Sequence, residues 1–238
     1  MYFQPLNKGI MLVDLRSDTV TRPTPAMLEA MMKAEVGDDV FGEDPTVRRL
    51  EETAAHLLGM DAAVYCPSGT MTNQIAIKCH TVPGDELLCD VNSHIYNYEG
   101  GGISSNSGVQ AKLLQGDRGR ITAKHIEDNI NGDFDWLTHT ALVCLENTVN
   151  RAGGSFYDLE TIKQIKQVCN KHQLPLHLDG ARIFNAIVEN NYTTQDIGNQ
   201  FDSISICLSK GLGAPVGSLL LGTKPFIKKA RRVRKVFG

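Results

Sequence analysis

The sequence contains no run of apolar residues near the roughly 18 that a membrane-spanning helix requires. Its first residues also carry no apolar core of the kind found in secretory signal peptides, so we expect no membrane partner. Neither sign of charge is in marked excess, because 24 basic residues stand against 27 acidic ones for a net charge of -3. A nucleic acid or an anionic lipid surface is therefore not expected as a partner.

Cysteines in paired C-x-x-C spacing are absent as well, although the chain has six cysteines, most of them inside apolar runs. This pattern predicts buried free thiols in a reducing compartment, and hence a cytoplasmic protein. Cys169, His172 and His177 are near one another in sequence, but their spacing matches no common zinc site. No metal ion is expected.

Short apolar runs instead alternate with amphipathic segments along most of the chain. Strands are predicted over 62–65, 87–89, 109–114, 142–145, 176–178, 203–208 and 218–221. Helices are predicted after Thr24-Pro25 and Asp44-Pro45, over 71–80, 122–129 and 158–172, and from 223 onward with a basic, solvated face. Such alternation favours an α/β fold whose mostly parallel sheet is covered by helices on both faces. Ligands of such sheets bind beyond the carboxyl ends of the strands.

The strand predicted over 203–208 delivers Lys210 to its carboxyl end, followed by Gly211, Gly213 and Gly217. Little bulk surrounds the amine there, and a poorly solvated lysine can attack a carbonyl to form a Schiff base. Taken alone, a lysine past a strand is more often a surface residue.

Two other strand ends carry polar residues that suit an anion and a ring nitrogen. Ser68, Gly69 and Thr70 stand at the start of a helix, where backbone N–H groups and the helix dipole attract phosphate. Asp179 closes a buried strand, where its carboxylate can hold a ligand nitrogen protonated. Both segments are also explained as helix caps.

Further polar residues extend this pattern. His94 can stack on a planar ligand, with Glu99 placed to orient it or to shuttle a proton, or it can be a simple polar cap. Arg182 can bond the Asp179 carboxylate, a ligand oxygen or nothing but solvent. An amine for a carbonyl, a carboxylate for a ring nitrogen, a stacking imidazole and a phosphate turn are together what pyridoxal 5′-phosphate requires.

Five segments add a family resemblance. They read DLRSDTVTRP at 14–23, VGDDVFGEDPT at 36–46, LENT at 145–148, DGARIFN at 179–185 and SKGLGAPVG at 209–217. In this order they resemble the pyridoxal-phosphate-dependent L-threonine aldolases, of the aspartate-aminotransferase-like fold. The resemblance implies an N-terminal arm at 1–24 and a large cofactor-binding domain at 25–238, with the family's small C-terminal domain absent from this chain.

The resemblance also implies roles for single residues. Lys210 would carry the cofactor, Asp179 would pair with its ring nitrogen, and His94 would stack on the ring. Arg182 would reach the phenolic oxygen. Further cofactor contacts would come from Ser68, Gly69, Thr70, Ser209 and Lys235, and Ser17 would join Arg182 in binding the substrate carboxylate.

The activity implied is a retro-aldol cleavage of L-threonine or L-allo-threonine to glycine and acetaldehyde by a homotetramer, a dimer of dimers with shared active sites. Three positions depart from the family: Phe41, Trp136 and Val149 stand where tyrosine, histidine and histidine are common near the substrate side chain. Alternatives from the same residues are β-elimination, transamination, a cofactor-free Schiff-base aldolase, or an inactive cofactor-binding fragment.

Overall fold

The computed structural model describes residues 13–238 and shows one seven-stranded sheet. The strands are β1 (Ala62–Cys66), β2 (Glu86–Asp90), β3 (Gln110–Leu114), β4 (Thr140–Glu146), β5 (Leu176–Asp179), β6 (Ser203–Cys207) and β7 (Ser218–Gly222). Their order across the sheet is β1-β7-β6-β5-β4-β2-β3. Neighbours pair in parallel except β7, which is antiparallel to both β1 and β6. All seven predicted strands and the mostly parallel sheet are confirmed.

Ten α-helices connect and cover these strands in the part of the chain that the structure describes. They are α1 (Pro25–Met32), α2 (Pro45–Leu57), α3 (Gly69–His80), α4 (His94–Asn97), α5 (Gly102–Ser107), α6 (Ala123–Glu127), α7 (Leu159–Lys171), α8 (Ile183–Asn190), α9 (Thr194–Gly198) and α10 (Lys224–Phe237). The predicted helix starts at Thr24-Pro25 and Asp44-Pro45 are confirmed, since both side chains accept the capping N–H. The short helices α4, α5, α8 and α9 were not predicted.

Helices lie on both faces of the sheet, as predicted. One face packs α2, α6, α7, α8 and α9 against alternate strand residues such as Leu145, Leu178 and Ile204. The other face packs α3 and α10 against Val64 and Leu220, and packs α4 and α5 near β2 and β4. Because side chains alternate across a strand, each strand contributes to both layers.

The basic, solvated face predicted for α10 is confirmed only in part, because Arg231 and Arg234 are half-buried in ion pairs. Arg234 pairs with Asp39 at 2.6 Å, and Arg231 pairs with Glu51 of α2. Lys229 donates to the Cys79 carbonyl at 2.5 Å. The basic side chains therefore dock α10 onto its neighbours, because their apolar stems can pack while their charges reach fixed acceptors.

The described segment 13–24 runs along the carboxyl edge of the sheet with one 3-10 turn at Asp18–Val20. Residues 1–12 of the predicted arm lie outside the described residues. All six cysteines are free and buried, which confirms the thiol prediction. No helix within 13–238 combines the length and the apolar character that crossing a membrane demands.

Two histidines are held neutral inside the face that α3 covers. Burial lowers the pKa of His177, on β5, from 6.5 to about 3, and burial lowers the pKa of His80, in α3, from 6.5 to about 4. At pH values between these pKa values and 6.5, the two histidines bind more protons in the unfolded chain than in the folded one. The free energy of unfolding therefore falls as pH falls below about 6.5.

Replacing His177 with glutamine should make the stability of the cofactor-free protein less sensitive to acid. One fewer proton is taken up on unfolding, so the slope of the unfolding free energy against pH should decrease by about 1.4 kcal/mol per pH unit. Urea unfolding at several pH values between 5 and 7.5 measures this slope. His56→Gln, at an exposed position on α2, is the matched control. Equal slopes in wild type and His177→Gln would contradict the assignment.

Candidate active site

The carboxyl ends of five strands meet at one edge of the sheet. Strands β2, β4, β5 and β6 are mutually parallel, and β1 is parallel to β6 because β7 lies antiparallel between them. The residues that follow or close these strands are Ser68, His94, Glu146, Asp179 and Lys210. The sequence predicted this edge, and the fold gathers its polar side chains there.

His94, Glu99 and Asp179 form a compact cluster at the middle of the edge. One polar side-chain atom from each residue lies within 4.8 Å of the others. His94 Nδ1 lies 3.0 Å from Glu99 Oε1, and this hydrogen bond raises the pKa of His94. The Glu99 side chain is fully buried, while that of His94 is 30% exposed. The imidazole thus has one nitrogen fixed by a buried carboxylate and a face toward the open edge.

Glu146 adds a third carboxylate to this cluster. Its oxygens accept the backbone N–H of His94 at 2.7 Å and of Asn150 at 2.8 Å. Burial, and then the charge of Asp179, raise the pKa of Glu146 to about 7. Glu99, Glu146 and Asp179 are each less than 7% exposed. Three buried carboxylates lie around His94, one of them bonded to its imidazole and one to its backbone N–H, so the pocket favours a positively charged ligand group.

Lys210 reaches the same edge from the loop after β6. Its amine lies near the Cys207 thiol and near Asp18 of the N-terminal segment. Thr21 Oγ1 donates to the Lys210 carbonyl at 2.7 Å, which ties the N-terminal segment to this loop. Ser209 and Lys210 are both partly buried. The amine is accessible and lies beside small or polar groups.

Arg182 is held by Asp18 rather than by Asp179. Its Nε and Nη2 donate to the two Asp18 oxygens at 2.8 and 2.7 Å. These hydrogen bonds lower the pKa of Asp18, and the charge of Lys210 adds to the effect. The neighbouring Ser17 is exposed and caps the 3-10 turn by accepting from Thr19. Arg182 and Ser17 therefore lie together at the rim, with Asp18 as an unpredicted partner.

The N-terminus of α3 supplies the predicted anion turn. Ser68 and Thr70 are exposed, and Ser68 Oγ accepts the Met71 N–H at 3.2 Å as a helix cap. Gly69 is needed for close packing, because a Cβ there would lie 2.6 Å from Cys207 Sγ. Lys235, exposed on α10, lines a surface pocket of about 360 Å³ together with Pro67. Lys235 and the start of α3 therefore lie near each other at the carboxyl end of β1.

Gly69→Ala should destabilise the protein by about 1–3 kcal/mol, because the new methyl group overpacks the contact with Cys207. Adding Cys207→Ala should recover most of that loss, since it removes the sulfur that the methyl meets. Denaturant unfolding of the wild type, both single variants and the double variant measures the coupling. Additive effects in the double variant would show that the two side chains do not compete for one space.

The three positions that depart from the family lie at different places in this chain. Trp136 is 78% exposed and lies just before β4, at the amino edge of the sheet. Val149 is buried and packs against Gly119, and Phe41 is 77% exposed. That these side chains surround the substrate stays a prediction.

Asn73 and Glu146 lie next to the cluster, but neither was predicted from the sequence to be a site residue. Asn73 donates from its amide to both Glu99 and Asp179, and Glu146 was read only as a polar strand end. A usable signal exists for Asn73. Thr72, Asn73 and Gln74 are three successive polar residues in a helix, and all three are buried. Buried polar residues in a row indicate a polar partner beneath the helix.

Residues 14–238 match the family described as beta-eliminating lyase. The chain is 46% identical to the Low-specificity L-threonine aldolase 1 of Arabidopsis thaliana, over 95% of this chain and 64% of that protein. It is 43% identical to the Low specificity L-threonine aldolase of Escherichia coli K12, over 95% of this chain and 68% of that protein. The chain thus spans about two thirds of the curated relatives it matches.

Solved structures agree with this family match. The Leishmania major threonine aldolase superposes with a TM-score of 0.82 at 25% identity, over 92% of this chain and 65% of that chain. The sheet and the helices that carry the cluster are therefore shared with a threonine aldolase.

Proposed function

The chain belongs to the beta-eliminating lyase family, and we propose that it binds pyridoxal 5′-phosphate and cleaves β-hydroxy-α-amino acids. The substrates are L-threonine and L-allo-threonine, and the products are glycine and acetaldehyde. The protein acts in the cytoplasm as a homo-oligomer with shared active sites. The observation that carries this proposal is the acidic cluster of Asp179, Glu99 and Glu146 beside Lys210 at one sheet edge.

The residues present fit this cofactor. The three buried carboxylates near His94 favour a ligand that brings positive charge, as a protonated ring nitrogen does. The exposed N-terminus of α3, a helix of twelve residues, suits the phosphate through Ser68, Gly69 and Thr70. Lys235 adds positive charge beside the Ser68-Gly69-Thr70 turn. The Asn147 Nδ2 group is buried and has no hydrogen-bond partner among the described residues. Bound pyridoxal phosphate supplies an electron sink for the pair released when the Cα–Cβ bond breaks.

The chain's own residues divide the remaining work. Lys210 would hold the cofactor through its amine and could also accept or return a proton. Asp179 would accept the hydrogen bond of the ring nitrogen and favour its protonated form. His94, oriented by Glu99, would stack on the ring. Ser209 would contact the phosphate, and Ser17 and Arg182 would bind the substrate carboxylate at the rim.

A direct test reduces the cofactor-loaded protein with borohydride and maps the label by mass spectrometry. We expect the label on Lys210. The reduced and unreduced proteins are then incubated with each threonine diastereomer, and acetaldehyde and glycine are measured against pyruvate and ammonia. Label on another lysine would overturn the site assignment.

β-Elimination is the second candidate reaction, because the matched family carries that description. The cofactor contacts do not decide which bond of the substrate breaks. Release of pyruvate and ammonia from serine, without aldehyde release from threonine, would favour it over aldol cleavage.

A further inference from the structure

Helix α3 carries a run of three buried polar residues. Thr72, Asn73 and Gln74 are 0%, 1% and 3% exposed. Thr72 Oγ1 lies 2.5 Å from Ser205 Oγ, and Gln74 Nε2 donates to Glu99 Oε2 at 2.6 Å. Burying three polar side chains in one helix is costly unless each finds a partner. Asn73, the middle residue of the three, has two carboxylates of the site as its partners.

Asn73 bridges two carboxylates. Its Nδ2 group donates to Glu99 Oε1 at 2.8 Å and to Asp179 Oδ2 at 2.9 Å. The opposite orientation of the amide would put its oxygen against two carboxylate oxygens. Both hydrogens of one neutral NH₂ group are therefore committed to the acidic cluster, and the amide orientation is fixed by its surroundings.

A chain of uncharged groups continues behind the amide. The Asn73 oxygen accepts from His177 Nε2–H at 3.2 Å. His177 is fully buried and neutral, so it has a single N–H, and its Nδ1 accepts from the Ser203 hydroxyl at 2.8 Å. Ser203 Oγ in turn accepts from His80 Nε2–H at 2.8 Å. Every proton position in this chain follows from the orientation of Asn73.

We propose that Asn73 is a positioning residue that holds the Asp179 and Glu99 carboxylates side by side without adding a charge of its own. His177 is its uncharged support. A lysine or arginine at this place would neutralise the pair and weaken its attraction for a ring nitrogen, whereas a neutral amide supplies hydrogen bonds only. The aim of Asp179 at a ring nitrogen rests on the proposed function, but the bridge itself does not.

Few positively charged groups compete with the Asn73 amide as hydrogen-bond donors to the Asp179 and Glu99 carboxylates. The titratable groups that face it are His94 from α4, Cys144 and Glu146 from β4, Cys207 from β6 and Arg182 from the start of α8. Of the nearby groups that can be positive, His94 is bonded to Glu99 and Arg182 is paired with Asp18. Lys210 lies beside the Cys207 thiol and Asp18. The amide therefore supplies the pair's shared donor without adding a charge.

The test uses cofactor-free protein labelled with ¹³C at the aspartate and glutamate carboxyl carbons. In Asn73→Leu, the pair loses its shared donor, so the Asp179 and Glu99 carboxyl signals should both move away from their wild-type positions. Gln74→Leu is the matched control, since it removes a buried amide donor from Glu99 alone. It should move the Glu99 signal and leave the Asp179 signal in place. Signals are assigned by their loss in Asp179→Asn and Glu99→Gln.

An Asp179 signal at the same position in wild type and Asn73→Leu would overturn the proposal. A second measurement needs no variant and covers the case in which Asn73→Leu does not fold. Long-range ¹H–¹⁵N spectra of the wild type should show both His177 and His80 as neutral Nε2–H tautomers at pH 7. An Nδ1–H tautomer at His177 would require the opposite orientation of Asn73 and would also overturn it.

These outcomes are separate from those that test the proposed function. Borohydride label absent from Lys210, with the carboxylate and tautomer results as expected, would remove the ring-nitrogen partner but leave the bridge intact. Label on Lys210 with an unmoved Asp179 signal would refute the bridge alone. In loaded protein, Asn73→Leu should also change the pH dependence of the cofactor's visible absorption, which Gln74→Leu should leave closer to wild type.

Discussion

Lys210→Ala should reduce threonine cleavage by at least about 10³-fold, because both the covalent hold on the cofactor and the proton transfer by that amine disappear. The cofactor should still bind through the α3 turn and Asp179, but more weakly and without any borohydride-stable link to the chain. Turnover, visible absorption and peptide mapping of the reduced protein measure the three effects. The fold should persist, since Lys210 lies in a loop at the rim of the sheet.

A matched lysine separates loss of the amine from a general change in charge. Lys33 is exposed on the C-terminal side of α1, and among residues 13–238 it pairs only with Glu29, four residues earlier. Lys33→Ala should bind cofactor, take the label and turn over like the wild type. Near-normal turnover by purified Lys210→Ala would remove this lysine from the mechanism.

Asp179→Asn should leave cofactor binding largely in place and slow the reaction by about 10²–10³-fold per bound cofactor. The size and the backbone contacts of the side chain are kept, but the charge that holds a ring nitrogen protonated is gone. The absorption band of the bound cofactor and the rate per bound cofactor should be measured on the same samples. Glu146 should also ionise at lower pH, because the charge of Asp179 helps to raise its pKa to about 7.

The control for this variant is Asp18→Asn, which removes a carboxylate from the same edge without touching the acidic cluster. It should weaken substrate binding through the loss of its pairing with Arg182, and leave the cofactor spectrum unchanged. If Asp179→Asn lost the cofactor yet kept the full rate per bound molecule, Asp179 would be only a structural cap of the turn to Ala181.

Strand positions could be predicted from the sequence because buried strands carry a strong local signal. Ser203–Cys207 alternates branched apolar residues with small ones, and all five residues are buried. Helices α4 and α9 are four and five residues long, too short for an apolar period to show. Helix α4 depends on a contact that is distant in sequence: Glu146 of β4 accepts the backbone N–H of His94, the first residue of α4.

Some of the site could likewise be predicted from local sequence, whereas the rest depends on contacts between residues far apart in the chain. Ser68, His94, Asp179 and Lys210 could be predicted because each follows a strand, and parallel strands bring their carboxyl ends together. The Asn73 bridge could not be predicted, because it depends on which helix covers β5. The pairing of Arg182 with Asp18 joins residues 164 positions apart, and it depends on the path of the N-terminal segment over the sheet edge.

The place of β1 in the sheet also sets an order of events on the ribosome. Among the described residues its partner is β7, which leaves the ribosome roughly 150 residues later, or about 8–30 seconds at usual rates of synthesis. During that interval β1 has an unpaired backbone edge, and the Ser68-Gly69-Thr70 turn that follows it has no fixed place. Nascent chains should therefore be exposed to aggregation until β7 emerges, and free pyridoxal phosphate should protect them only from that moment on.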